Sequence, residues 1–82
     1  MTKESTQDRY LTKDLYEAAC LYAKKQKLIG LEPEGNHYLF VFQENSRCQK
    51  IADSFWSGDC LVKAKAMADA IRTLKALVFS RR

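Results

Sequence analysis

The chain of 82 residues has one proline, three glycines and one histidine, and no apolar run longer than six residues. A membrane-spanning helix needs about 20 apolar residues in succession, so none is expected. So little proline and glycine, with no tripeptide period, excludes collagen-like and low-complexity chains. The three cysteines, Cys20, Cys48 and Cys60, are odd in number and include no CxxC pair. That pattern fits a reducing compartment better than a disulfide framework. Structural zinc sites usually start from closely spaced ligand pairs. None is present, so Cys20, Cys48, Cys60 and His37 are not expected to bind zinc, and neither a metal nor a cofactor is expected. Glycine-rich phosphate loops and recognisable nucleophile–base pairs are also missing, which argues against an enzyme.

What is present is 46% hydrophobic and 29% charged residues, the balance of a compact single domain. At this length, area scaling implies burial of only about 63% of the unfolded surface. The opening "MTKESTQDR" is polar and mixed in charge, unlike a secretory signal. Residues 1–9 are therefore read as a flexible leader, 10–80 as the domain, and 81–82 as a basic end, with the cytosol as the expected location.

Apolar residues Leu11, Leu15, Ala18, Ala19 and Tyr22 recur at three and four, predicting an amphipathic helix from about Thr12 to Lys27. Thr12 or Asp14 can cap it, and Asp14 has Glu17 at capping-box spacing. "LIGLE" and "HYLFVFQ" flank the turn-forming "PEGN", which reads as a β-hairpin. For an even loop, Ile29 and Leu31 share a face with Tyr38, Phe40 and Phe42. The weaker face carries Gly30, Glu32, His37, Leu39, Val41 and Gln43, with Leu28 at its edge. In "NSRCQKIADSFWSG", Ser46 and Gln49 have capping-box spacing, Cys48, Ile51, Ala52, Phe55 and Trp56 form a stripe, and Gly58 ends the helix. A last helix, from about Lys63 to Phe79, turns Met67, Ala70, Ile71, Leu74, Leu77 and Val78 inward.

The expected fold is α+β, ordered αββαα: a two-stranded antiparallel hairpin packed against three helices, or a four-stranded sheet across a dimer if two hairpins join. Its expected core is Leu15, Tyr22, Ile29, Leu31, Tyr38, Phe40, Phe42, Ile51, Phe55, Trp56, Met67, Ile71, Leu74 and Val78. Leu28, Leu39 and Val41 are left as a candidate partner or dimer interface, because a lone hairpin is marginal.

"YLTKDLYEAACLYAKKQKLIGLE", "GNHYLFVF", a helix ending "FWSG", and "DAIRTLKALVFS" together resemble a family of small prokaryotic and phage-associated proteins filed as a domain of unknown function. The likeness spans roughly residues 10 to 80. Its distinctive positions are Tyr10, Thr12, Asp14 and Leu15, then Phe40, Val41 and Phe42, then Leu74 and Lys75. The sequence departs from the family pattern at Ala64, where a proline often opens the last helix, and at Cys48. The resemblance implies the αββαα architecture and no activity.

Net charge is +4 and the isoelectric point about 9.1, with the excess on the first and last helices. Lys65, Arg72 and Lys75 share the outward sector of the last helix, continued by Arg81 and Arg82 and interrupted by Asp69. Lys13, Lys24 and Lys27 are exposed on the first. Cationic helix faces often serve only solubility, yet unpaired clusters also suit phosphate contacts with DNA or RNA. Aromatics in "GNHYLFVF" resemble an RNA-recognition strand, but that motif needs a four-stranded sheet and different spacing. His37 is expected to make a cross-strand contact with Glu32. Cys20 lies on the polar side among Lys13, Glu17, Lys24 and Lys27, where a thiolate could be stabilised, but with no base identifiable nearby an ordinary half-exposed cysteine is expected. Two functions follow as expectations: a non-enzymatic nucleic-acid accessory protein, or a homodimeric protein-interaction adaptor.

Overall fold

A computed structural model describes residues 8–81 and has α+β architecture, a three-stranded antiparallel sheet with three helices. The elements are β1 (Arg9–Thr12), α1 (Leu15–Ala23), β2 (Leu28–Glu34), β3 (His37–Gln43), α2 (Asn45–Ser57) and α3 (Ala64–Arg81). The sheet order is β1-β3-β2. The hairpin and three helices follow the expected order, and β1 is the addition. It occupies residues expected as leader and helix start, pairing Leu11 with Val41 and Tyr10 with Phe42. Arg9 thus belongs to the sheet, while residues 1–7 and Arg82 lie outside the described residues.

Helix α1 is shorter than its apolar spacing suggests because Thr12 is committed to β1. Asp14 caps it, its carboxylate accepting from the Glu17 N–H at 2.8 Å, which satisfies one orphan amide of the first turn. At the other end Lys25 takes a left-handed φ of 71°, with its N–H bonded to the Tyr22 carbonyl and that of Gln26 to Leu21. Glycine is the usual residue at such a stop, since a Cβ is crowded there. Lys25→Gly is therefore expected to stabilise the fold by roughly 0.5–1 kcal/mol, a gain checked by urea melts; an unchanged midpoint would contradict it.

The hairpin closes through Gly35 and Asn36, with Glu34 opposite His37 and Gly35 at φ 62°. An irregularity follows between Leu28 and Gly30: Leu28 opposes Phe42 while Gly30 opposes Val41. Ile29 is the extra residue of a β-bulge, and a bulge shifts the parity of everything beyond it. Leu28 therefore joins the Phe42 face and packs on the core, contrary to its expected place at a partner interface. Ile29 leaves the core and is 46% exposed. Val41 is buried as well, flanked by Leu11 and Gly30 on the neighbouring strands, so the expected interface of Leu28, Leu39 and Val41 shrinks to half-buried Leu39.

Phe40, Phe42 and Leu74 are buried together with Ala18, Ala19, Leu21, Cys48 and Ala70. Leu15, Leu31, Ile51, Met67, Ile71 and Val78 pack against them, while Tyr38 and Phe55 are half-buried. Two further core expectations fail. Tyr22, in the last turn of α1, sits at the margin of the core, and Trp56 is 63% exposed. The Trp56 indole N–H instead donates to the Glu17 carboxylate at 3.0 Å.

Five successive residues of α1, Glu17–Leu21, are buried. They span more than one turn, so the middle of α1 is enclosed on every side, which an amphipathic pattern does not anticipate. Glu17 is accommodated there by two donors, Tyr10 Oη from β1 and Trp56 Nε1 from α2. Burial, and then the bond to Glu17, raises the pKa of the Tyr10 hydroxyl.

The expected Ser46–Gln49 capping box does not form. Glu44 takes a left-handed φ of 61° and α2 starts at Asn45, one residue before Ser46. Asp8 supplies the cap from outside the helix, its carboxylate accepting from the Asn45 N–H at 2.9 Å. Gln49 bonds Asp53 instead. Gly58 ends α2 at φ 87°, with the Asp59 N–H on the Ser54 carbonyl, the helix stop its position implies. Among the described residues, no helix is long and apolar enough to cross a membrane.

Candidate functional site

Helices α1 and α3 run antiparallel: Cys20 meets Cys60 ahead of α3, while Leu15 and Val78 share a wall at the opposite end. There the hairpin tip and the last turns of α3 enclose a groove of about 700 Å³. Its apolar part comes from Leu15, Phe40 and Val78, and one wall is the hairpin from Gly35 to Tyr38. The Tyr38 hydroxyl donates to the Arg81 carbonyl at 3.1 Å, tying the hairpin to the end of α3. Lys13, from the β1–α1 link, and Lys75, from α3, both line the groove. Phe79 lines it too and is 70% exposed.

The candidate cations divide into groups. Lys65 and Arg72 both bind Asp69, each at 3.0 Å, and these two hydrogen bonds hold the Asp69 pKa below its usual value. Such exposed pairs add little stability, but they occupy the two cations expected to be unpaired. Lys24 and Lys27 lie at and beyond the C-terminal end of α1, nine residues long, whereas Lys13 precedes its start. That length corresponds to about 13 Å of helix, so the expected basic residues do not form one surface. Lys13 and Lys75 are the two that the groove brings together, and among the described residues neither is ion-paired. Arg81 is exposed at the end of α3 and is not among the residues that line the groove.

Phe79 was not among the residues singled out from sequence. Its signal was available: Arg72, Lys75 and Phe79 are spaced by three and four, so an aromatic stands in the cationic sector of α3.

His37 bonds Glu34 at 3.1 Å rather than Glu32, because the two-residue turn sets Glu34 opposite it. Cys20 is 1% exposed, not half-exposed. Burial, followed by its contact with Cys60, pushes its thiol up to about 12, the reverse of a stabilised thiolate. The cysteines do not converge: Cys20 meets Cys60, while the Cys48 thiol donates to the Gln43 carbonyl at 3.1 Å. Among the described residues, no three His, Cys, Asp or Glu side chains gather as a metal site.

No protein-family model, curated protein or solved structure matches the chain.

Proposed function

We propose that the chain is a non-enzymatic binding module for single-stranded nucleic acid, with the groove between the hairpin tip and α3 as its site. The observation that carries this reading is the meeting of Lys13 and Lys75, which have no ion-pair partner among the described residues, with exposed Phe79 around one concavity. Lys13 and Lys75 supply charge for phosphates, and Phe79, 70% exposed, supplies aromatic surface against which a base can pack. Single strands are bound through that combination, since every base has a π-face whatever the sequence. A duplex keeps its bases stacked inside and has none to offer Phe79, so single strands should be preferred.

Anisotropy of a labelled single-stranded oligonucleotide, titrated from about 50 to about 200 mM salt, tests the site. Two phosphate contacts predict a slope of log affinity on log salt of about −1.4. Lys13→Glu combined with Lys75→Glu should abolish binding, and Phe79→Ala should weaken it at least fivefold, since base stacking contributes about 1–3 kcal/mol. All three residues are exposed, so folding should be unaffected. Absence of binding at about 50 mM salt, or full binding by the double variant, rejects the proposal.

A second reading is a homodimeric adaptor, favoured by Leu11 at 42% and Ile29 at 46% exposure beside buried Val41. Four-residue β1 and Pro33 in β2 blunt both sheet edges, which makes face-to-face pairing the better geometry for it. Light scattering at about 100 μM, a concentration well above a micromolar dissociation constant, separates the two: a monomer removes the dimer and leaves the groove untouched.

A further inference from the structure

We propose that Cys20 and Cys60 are a redox-active pair that closes reversibly into a disulfide, pinning the link between α2 and α3 onto the middle of α1. Their sulfurs lie 2.9 Å apart, so bond formation requires an approach of only about 0.9 Å. Cys20 is fixed in the enclosed turn of α1, 1% exposed. Cys60 sits in the 58–63 stretch, which is neither helix nor strand, and is partly exposed. That stretch can move the short distance without disturbing a helix, and its thiol is open to an oxidant. Cys48 is excluded by its position: it is fully buried, its thiol bonded to Gln43.

A small disulfide such as oxidised glutathione serves as the oxidant. The Cys60 thiol gives its proton to solvent, and the thiolate attacks one glutathione sulfur. That S–S bond breaks and the first glutathione leaves as a thiol. Cys20 then attacks the Cys60 sulfur in the mixed disulfide, expelling the second glutathione, which takes up the Cys20 proton. Two protein thiols are oxidised and one disulfide is reduced to two thiols. The raised pKa of Cys20 leaves little of it as thiolate and slows this second, resolving step, while the short distance to Cys60 works in its favour. The closed ring spans residues 20 to 60, enclosing the hairpin and α2.

The test uses the native chain incubated with oxidised glutathione, then trapped with N-ethylmaleimide in denaturant and digested with trypsin. Each cysteine falls on its own peptide: DLYEAACLYAK, CQK and IADSFWSGDCLVK. The expected product links the first to the third, lighter by two hydrogens, with CQK carrying the maleimide. Dithiothreitol should reverse it. The oxidised form should melt higher by on the order of 10 °C, since a loop of about 40 residues is closed in the unfolded chain. Cys48→Ala should give the same linkage, and Cys60→Ser should leave Cys20 open to the maleimide. A product that stops at glutathionylated Cys60, a linkage through Cys48, or an oxidised form that melts no higher overturns the proposal. Wild-type mapping decides the matter even if a variant fails to fold. None of these outcomes depends on the groove.

Discussion

Phe42→Ala is expected to cost about 3 to 5 kcal/mol, against a total of about 4 to 12 kcal/mol for a domain of this length. Phe42 is 0% exposed and is the largest fully buried side chain. It stands on the middle strand, opposite Tyr10 of β1 and Leu28 of β2, and beneath α1. Truncation leaves a void bounded by three strands that hydrogen bonds hold in register, so collapse around it is limited. The contrast with Trp56 is informative. An exposed tryptophan has less burial to lose, and Trp56→Ala chiefly deprives Glu17 of one donor, a loss of about 1 to 3 kcal/mol. Urea melts of the two variants should rank Phe42→Ala as the more damaging. The reverse order, or a loss below 1 kcal/mol for Phe42→Ala, would place the centre of the core elsewhere.

Much of this core was legible because it depends on local periodicity. The Phe40 and Phe42 alternation, the Ile51 and Ala52 stripe, the inward face of α3 and the Gly58 stop are each set by residues within two turns of one another. What was not legible depends on distant partners. Tyr10 and Thr12 favour strands, but the four residues of β1 are too short a run to announce one, and they become a strand by pairing with the edge of β3. The Ile29 bulge inverts the parity of Leu28 without any glycine or proline at position 29 to announce it. Cys20 looked polar-facing because its helical neighbours are charged, but it is buried there against Cys60, in the link between α2 and α3. The capping of α2 by Asp8 crosses 37 positions of chain.

The groove divides in the same way. Its cations were visible as a list of basic residues, and Lys13 and Lys75 were both on it. Their convergence, 62 positions apart, requires the antiparallel packing of α1 and α3, which no local pattern specifies. Their equivalence to Lys65 and Arg72 was misleading, because the i+4 and i+3 spacings to Asp69 neutralise those two on the helix itself. Spacing thus identified the wrong cations as available, although the same spacing, applied to Asp69, explains why.

The protein should lose stability steeply between pH 9 and 11 through its buried thiols. Burial pushes the Cys48 thiol from 9.0 to about 11, and Cys20 to about 12. A raised folded-state pKa means that the folded chain keeps its proton after the unfolded chain has released it. Stability is therefore complete below the unfolded value near 9.0 and declines as pH rises toward the folded one. Each thiol contributes a slope of at most about 1.4 kcal/mol per pH unit, and with both ends of the window half titrated Cys48 alone accounts for about 2 kcal/mol between pH 9 and 11. Tyr10 adds to the decline in the same direction above its ordinary value of 10.0. The discriminating comparison is with Cys48→Ala under a thiol reductant. The alanine removes the titrating group, and its small packing cost does not change with pH. The free-energy difference between wild type and variant, from urea melts at pH 8, 9, 10 and 11, should shift in favour of the variant by about 2 kcal/mol from the lowest pH to the highest. Parallel profiles would mean that the Cys48 thiol ionises as readily in the folded chain as in the unfolded one, a result incompatible with a fully buried thiol donating to the Gln43 carbonyl.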